Sequence, residues 1–263
     1  MRGVVLAGGS GSRLGHLTKI TNKHLLPVGE YPMIYYPIKK LVDAGITDIL
    51  VVTGCDHIGS IVGYLGSGVD FGCSITYRVQ DQAGGIAEAL YLAKDFCGTE
   101  TMCVLLGDNI FSSSLSQAID RYEKRREGLG FSAMLLLYGE EKEPLYKSRF
   151  GVAYTKESDI GVIESILEKP SSDSIREREK ESLLSGDPIF SAVVTGIYFY
   201  DHTVFEKIEK LNYSSRGEKE ITDVNMLYLK ESKLASTKLC GKWTDAGTHD
   251  SLDQANDLVR EQS

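Results

Sequence analysis

Three glycines and two serines fall within five positions, Gly8-Gly9-Ser10-Gly11-Ser12, directly after the apolar run Val4 to Ala7, and Arg13 and Lys23 follow. A glycine-rich turn at the end of a buried strand lets backbone N–H groups converge on an anion. The serine hydroxyls, a guanidinium and an ammonium add donors and positive charge. The chemistry these residues favour is phosphate binding. On the same residues alone, an ordinary tight turn with a solvated Arg13 is the alternative. The loop lacks the closing Gly-Lys-Ser/Thr of a Walker loop and the third glycine of a dinucleotide loop.

Two aspartates could complement such a loop. Asp108 lies in Leu106-Gly107-Asp108-Asn109, just past the apolar run Met102 to Leu106, and Asp245 lies in Trp243-Thr244-Asp245-Ala246-Gly247. A hard divalent cation such as Mg2+ needs only one or two carboxylates when phosphate oxygens and waters complete its shell. A turn or cap is the other reading of each aspartate. On spacing alone, Glu168 in Leu167-Glu168-Lys169-Pro170 reads as one member of a strand-edge ion pair with a surface lysine. Gln80, before Asp81-Gln82-Ala83-Gly84-Gly85, reads by itself as part of a polar turn before a helix. His24, His57 and His249 have no ligand-like spacing, which argues against a zinc site or a Ser-His-Asp triad.

The elements that must position these residues alternate. Strands are predicted over Val4–Ala7, Ile49–Thr53, Ser74–Val79 and Met102–Leu106. Helices are predicted through Tyr35, Ile38, Leu41 and Val42, from Ile58 to Leu65, and over Gly85–Phe96. Such alternation implies a parallel sheet covered on both faces, with ligands at the carboxyl ends of its strands. The second half changes rhythm: Phe131–Tyr138, Phe150–Tyr154, Gly161–Leu167 and Ala192–Tyr200 read as added antiparallel strands. Helices follow at Thr203–Glu209, Glu220–Leu229 and Ser251–Arg260. The charged run Ser171–Ser185 reads as an exposed helix or a mobile excursion, with a partner site as the lesser reading.

Composition bounds the rest. With 42% hydrophobic and 25% charged residues over 263 positions, the chain is an ordinary globule, and a net charge of −8 argues against nucleic-acid binding. Five scattered cysteines without C-x-x-C spacing read as reduced thiols of a cytoplasmic protein. No signal peptide and no run of about 20 apolar residues is apparent.

Leu6-Ala7-Gly8-Gly9-Ser10-Gly11-Ser12-Arg13 with Lys23 resembles the signature of the sugar-1-phosphate nucleotidylyltransferases, most of all their thymidylyl branch. Further motifs recur in the family's order to about Leu258. The resemblance implies one α/β domain over 1–263 with a Rossmann-like, mixed but mostly parallel sheet. Residues 1–130 would form a nucleotide-binding half and 131–263 a sugar-phosphate-binding half. It implies nucleotidyl transfer from a nucleoside triphosphate, dTTP first, to a sugar 1-phosphate, glucose 1-phosphate first. A uridylyl or cytidylyl enzyme and a non-catalytic sensor on the same fold are the alternatives.

By the same resemblance Leu6, Gly8, Gly9, Ser10, Gly11, Ser12, Arg13, Lys23, Gln80 and Gly85 hold the nucleotide, and Asp108 and Asp245 bind magnesium. Asn109, Gly151, Glu168, Lys169, Val194, Tyr198 and Trp243 would hold the sugar phosphate. Arg13, Lys23, Asp108, Lys169 and Asp245 would carry catalysis, so loss of Lys23 or Asp108 is expected to stop turnover with the fold intact. Arg216-Gly217-Glu218-Lys219-Glu220-Ile221-Thr222-Asp223 is expected to shape the sugar side of the cleft or to start a helix. Asp81 and Ala83 stand where the thymidylyl branch has prolines. The helical extension of the longer members, which contributes to assembly and to an effector site, is not matched here. A homo-oligomer is an open expectation.

Overall fold

The computed structural model describes residues 1–9, 11–139, 144–156, 159–185 and 189–262. Its strands are β1 (Arg2–Ala7), β2 (Pro27–Val28), β3 (Tyr31–Pro32), β4 (Asp48–Gly54), β5 (Ser74–Gln80), β6 (Met102–Leu106) and β7 (Asn109–Phe111). After these come β8 (Ala133–Tyr138), β9 (Gly151–Lys156), β10 (Asp159–Glu168), β11 (Ile189–Tyr200), β12 (Leu234–Lys238) and β13 (Trp243–Asp245). The main sheet runs β10-β9-β11-β6-β1-β4-β5, with β8 and β12 continuing from β11. β1 pairs in parallel with β4 and β6, and β4 in parallel with β5, whereas β11 is antiparallel to β6, β8 and β9.

The central strands are buried on both faces, which is why they read as unbroken apolar runs rather than alternating ones. Val4, Leu6, Leu50, Val52 and Val104 face one layer with helices Ile86–Tyr91, Val204–Glu209 and Ile221–Lys230. Val5, Ile49, Val51, Cys103 and Leu105 face the other, with helices Tyr35–Asp43, Ile58–Leu65 and Ser116–Leu129. The last helix, His249–Arg260, begins in a capping box at Thr248 and Ser251. It packs Ala255 and Leu258 against Leu26, Val28 and Met33, tying the end of the chain to its start.

Strand β12, not read from the sequence, pairs in parallel with β8, and three helices also depart from the sequence reading. Helix Ser116–Leu129 is too polar to show an apolar stripe; it is held by Tyr122 stacked on Phe199 and by Arg125 donating to the Ser236 carbonyl at 2.7 Å. The helix expected over Gly85–Phe96 is two short ones, Ile86–Tyr91 and Lys94–Cys97. The charged run forms helix Ser172–Ser185 with one face docked on the sheet: Ile175 is fully buried, Arg178 lies 4.5 Å from the Tyr154 ring, and Glu179 accepts from Lys147 and Ser191. Positions 175, 178, 179 and 182 share one helical face, a spacing masked by the charges around it. All five cysteines are free, and among the described residues no helix is long and apolar enough to cross a membrane.

Candidate active site

Register places the site. Leu6 lies opposite Val52 and Leu106, and Gly54 opposite Gln80. The turns that follow β1, β4, β5 and β6 therefore open at one edge, the carboxyl edge where open α/β sheets take ligands. Gly11 has φ +66, and a Cβ there would stand 2.8 Å from Thr18 and 2.9 Å from the Lys23 stem, so only glycine lets the loop close over Lys23. Ser10 lies outside the described residues.

Lys23 Nζ donates to Asp108 Oδ2 at 2.6 Å, and both side chains are about nine-tenths buried. The other Asp108 oxygen accepts from Asn109 Nδ2 at 3.0 Å. Burial alone would raise the Asp108 pKa, but Lys23 and these hydrogen bonds outweigh it and hold the carboxyl well below its ordinary range. His24, beneath this pair, is driven down to about 3 by burial and then by the Lys23 charge, so it stays neutral.

Asp245 reaches Asp108 through strand pairing: β13 lies antiparallel to β7 with Asp245 opposite Asn109, and the Ala246 N–H donates to the Asp108 carbonyl at 2.8 Å. Burial and then the charge of Asp108 push Asp245 up to about 6, against the pull of Arg149, Arg13 and Lys23. Arg149 Nη2 stands 3.4 Å from one Asp245 oxygen and Arg13 Nη2 3.9 Å from the other. Two carboxylates that repel each other and are ringed by cations make a site suited to a divalent cation and phosphates. Among the described residues no three His, Cys, Asp or Glu side chains converge, so a cation held here would need phosphate oxygens and waters as further ligands.

The cleft has two connected chambers. One chamber, about 330 Å3, is lined by Leu6, Gly8, Gly9, Lys23, Gln80 and Gly85, all nominated from sequence for the nucleotide. The other, about 480 Å3, is lined by Gly151, Glu168, Lys169, Val194, Tyr198 and Trp243, nominated from sequence for the sugar phosphate, together with Ser12 and Asn109. Arg13 and Asp108 border both chambers. Glu168 is held from several sides, by Thr222 Oγ1 at 2.6 Å and by Arg216 at 3.4 Å and Lys169 at 3.5 Å. Lys169 itself has φ +42, a left-handed conformation rare for a side chain of its length and frequent at ligand sites. Gly11 lines no chamber and acts through Lys23. A larger cavity of about 740 Å3, between helices Tyr35–Asp43 and His249–Arg260, contains none of the residues nominated from sequence.

Asn109 lines the chamber of about 480 Å3 and is held from within. It is 2% exposed, and its side chain is committed inward: Oδ1 accepts from the Gly196 N–H at 2.9 Å and from Trp243 Nε1 at 2.7 Å, while Nδ2 serves Asp108. Gly196 lies in the β-bulge of β11 between Val194 and Tyr198, so Asn109 pins the bulge, the tryptophan and the carboxylate together. Trp243 is likewise 3% exposed and packs on Tyr138 and Phe150. Arg149, which also lines this chamber, was not singled out from sequence, whereas Arg216, lining it too, opens the segment expected to shape the sugar side. The only local signal for Arg149 was its adjacency to the Phe150-Gly151 motif.

This fold and this cleft define an α/β protein of the nucleotide-sugar transferase type. The chain matches the nucleotidyl transferase family over residues 2–262 and belongs to it; it is an enzyme of that class. It is 40% identical to the glucose-1-phosphate thymidylyltransferase of Neisseria meningitidis, covering 99% of this chain and 83% of that one. A Bacillus anthracis protein assigned as a glucose-1-phosphate thymidylyltransferase, solved with sucrose, superposes with a TM-score of 0.84 at 48% identity, covering 99% of this chain and 96% of that one. A UDP-glucose pyrophosphorylase solved with UDP-glucose shares the fold, with a TM-score of 0.82 at 23% identity, covering 100% of this chain and 99% of that one.

Proposed function

We propose that this chain transfers a thymidylyl group from dTTP to glucose 1-phosphate, giving dTDP-glucose and pyrophosphate, with magnesium as its metal. Residues 1–130 take the nucleotide and 131–263 the sugar phosphate, within one domain. The observation that carries this reading is the buried Lys23 and Asp108 pair beside Asp245. It lies where a glycine loop on one side meets Glu168 and Lys169 on the other.

A phosphate oxygen of the sugar attacks the α-phosphorus in line, the bond to the bridging oxygen of the β-phosphate breaks, and pyrophosphate departs. The nucleophile is already ionised near neutral pH, so no general base is needed, and positioning and charge neutralisation supply the catalysis. Arg13 and Lys23 meet the departing pyrophosphate. Lys169, with Arg216 and Arg149 nearby, orients the sugar phosphate. Glu168 accepts from the hexose hydroxyls beside Gly151 and Val194, and Gln80 with the Gly85 backbone reads the base. A divalent metal generally accompanies chemistry of this family. Held by Asp108 and Asp245, magnesium would draw charge from the reacting phosphates. Free thiols and the lack, among the described residues, of a long apolar helix support a cytoplasmic setting.

The test is a panel of dTTP, UTP and CTP crossed with sugar 1-phosphates, read by pyrophosphate release. The highest kcat/KM is expected for dTTP with glucose 1-phosphate, and a loss of roughly a hundredfold for Asp108→Asn. Near-normal release by that variant would refute the assignment.

A further inference from the structure

Gln80 ends β5 with its side chain 8% exposed beside the glycine loop. Its Nε2 donates to Glu88 Oε1 at 3.1 Å and to the Gly85 carbonyl at 3.3 Å. The second Glu88 oxygen accepts from the Tyr213 hydroxyl at 2.9 Å. The loop is shaped around this carboxylate: a Cβ at Gly84 would fall 2.1 Å from both its oxygens, and one at Gly85 would fall 2.6 Å from the Lys219 carbonyl.

These contacts decide which end of the amide is which. Turning the amide over would set Gln80 Oε1 against a carboxylate oxygen and a carbonyl oxygen, three acceptors with no proton between them. The nitrogen is therefore committed to Glu88 and Gly85. The atom left for a ligand is Oε1, which lies where a Cβ on Gly8 would stand only 3.0 Å away, and Gly8 and Gln80 both line the chamber that the reading above gives to the nucleotide. A lone acceptor selects a donor. N3 of thymine and uracil carries a proton, whereas N3 of cytosine carries a lone pair and would face Oε1 with none.

We propose that Glu88 is a positioning residue that locks the Gln80 amide with its oxygen toward the base, so that the site takes thymine or uracil and rejects cytosine. The inference rests on the reading above in which Gln80 meets the base. It goes further by naming the side chain that sets the choice against cytosine.

UTP and CTP differ only at this edge of the ring, so they are the probes. Turnover with glucose 1-phosphate is measured as kcat/KM, and binding of each triphosphate without sugar phosphate by calorimetry, for the wild type, Glu88→Gln and Tyr213→Phe. The wild type should favour UTP over CTP by about a hundredfold or more, as buried polar groups do when a partner lacks the matching proton. Glu88→Gln has nearly the same volume, but its amide can present either N–H or oxygen and so lets Gln80 turn. The preference should shrink by about tenfold or more, and Tyr213→Phe should move it in the same direction by less.

A merely structural Glu88 would lower both triphosphates in parallel and leave the ratio unchanged, which would overturn the proposal, as would equal binding of UTP and CTP by the wild type. A binding preference that Glu88→Gln abolishes, with no turnover of either triphosphate, would keep the proposal and sink the transfer reaction instead.

Discussion

Replacing Lys23 by methionine keeps the stem that packs under Gly9 and Gly11 and removes only the ammonium. In the native chain that ammonium is 2.6 Å from Asp108, with side-chain exposures of 11% and 10%. Without it Asp108 is a buried carboxylate whose remaining side-chain donor is the Asn109 amide. Removing one member of a buried ion pair commonly costs about 3–5 kcal/mol, because the partner stays dry and uncompensated. For a chain of this size that corresponds to a fall in Tm of roughly 6–20 °C in the presence of a chelator. Magnesium should return part of the loss, since it now finds both Asp108 oxygens free of the lysine.

The assay is urea and thermal unfolding with and without magnesium, alongside pyrophosphate release, which should fall by about a hundredfold even where magnesium restores the fold. A variant as stable as the wild type in chelator, within about 0.5 kcal/mol, would show that the pair is not a buried charge partnership. Normal turnover would show that Lys23 does not meet the phosphates. From sequence alone, loss of Lys23 was expected to leave the fold intact; its burial against Asp108 makes stability part of the outcome.

The remaining predictions concern the sugar side and pH. Arg149→Ala should lower kcat/KM for the sugar phosphate by about 10–100-fold and leave the KM for triphosphate nearly unchanged, since Arg149 faces Asp245 and the sugar chamber. Arg149→Lys should recover only part of the loss, and a change confined to the triphosphate KM would contradict the placement. Asp245, raised to about 6 in the fold, stabilises the metal-free protein fully only below its unfolded pKa and loses that contribution as pH rises through 6. His24, lowered to about 3, acts in the opposite sense, stabilising above about pH 6.5 and losing that contribution as pH falls. The two nearly cancel between about pH 4 and 6, so Asp245→Asn should uncover a stability that climbs with pH by about 1.4 kcal/mol per unit. Equal slopes for variant and wild type in urea titrations would exclude this.

Much of the molecule is legible in one dimension because the information is local. Val4 to Ala7 followed by glycines reads as a buried strand ending in a tight, glycine-rich loop, and Met102 to Leu106 followed by Gly107-Asp108 sets a carboxylate past a second such strand. Periodicities of two and 3.6 report which side chains turn inward, so the parallel half was predictable. Helix Ser116–Leu129 was not, because its stability comes from Tyr122 on Phe199 and from arginines reaching β12, contacts more than 70 residues away. The docked face of Ser172–Ser185 was obscured by the charges that surround Ile175.

The site divides in the same way. Sequence by itself determined which residue types were present and in what order: the glycine loop, Arg13, Lys23, the two aspartates and Glu168-Lys169. Tertiary structure alone decided that Asp245 stands opposite Asn109, more than 130 positions earlier, that Lys23 is buried on Asp108 rather than solvated, and that Arg149 faces Asp245. It also decided that Asn109 turns inward to Gly196 and Trp243 and that Glu88 fixes the face Gln80 shows. The reason is physical: a residue's type and neighbours bias its own backbone and burial, whereas the charge, proton or hydrogen-bond partner it meets across the cleft depends on strand register between distant segments, which no local pattern encodes.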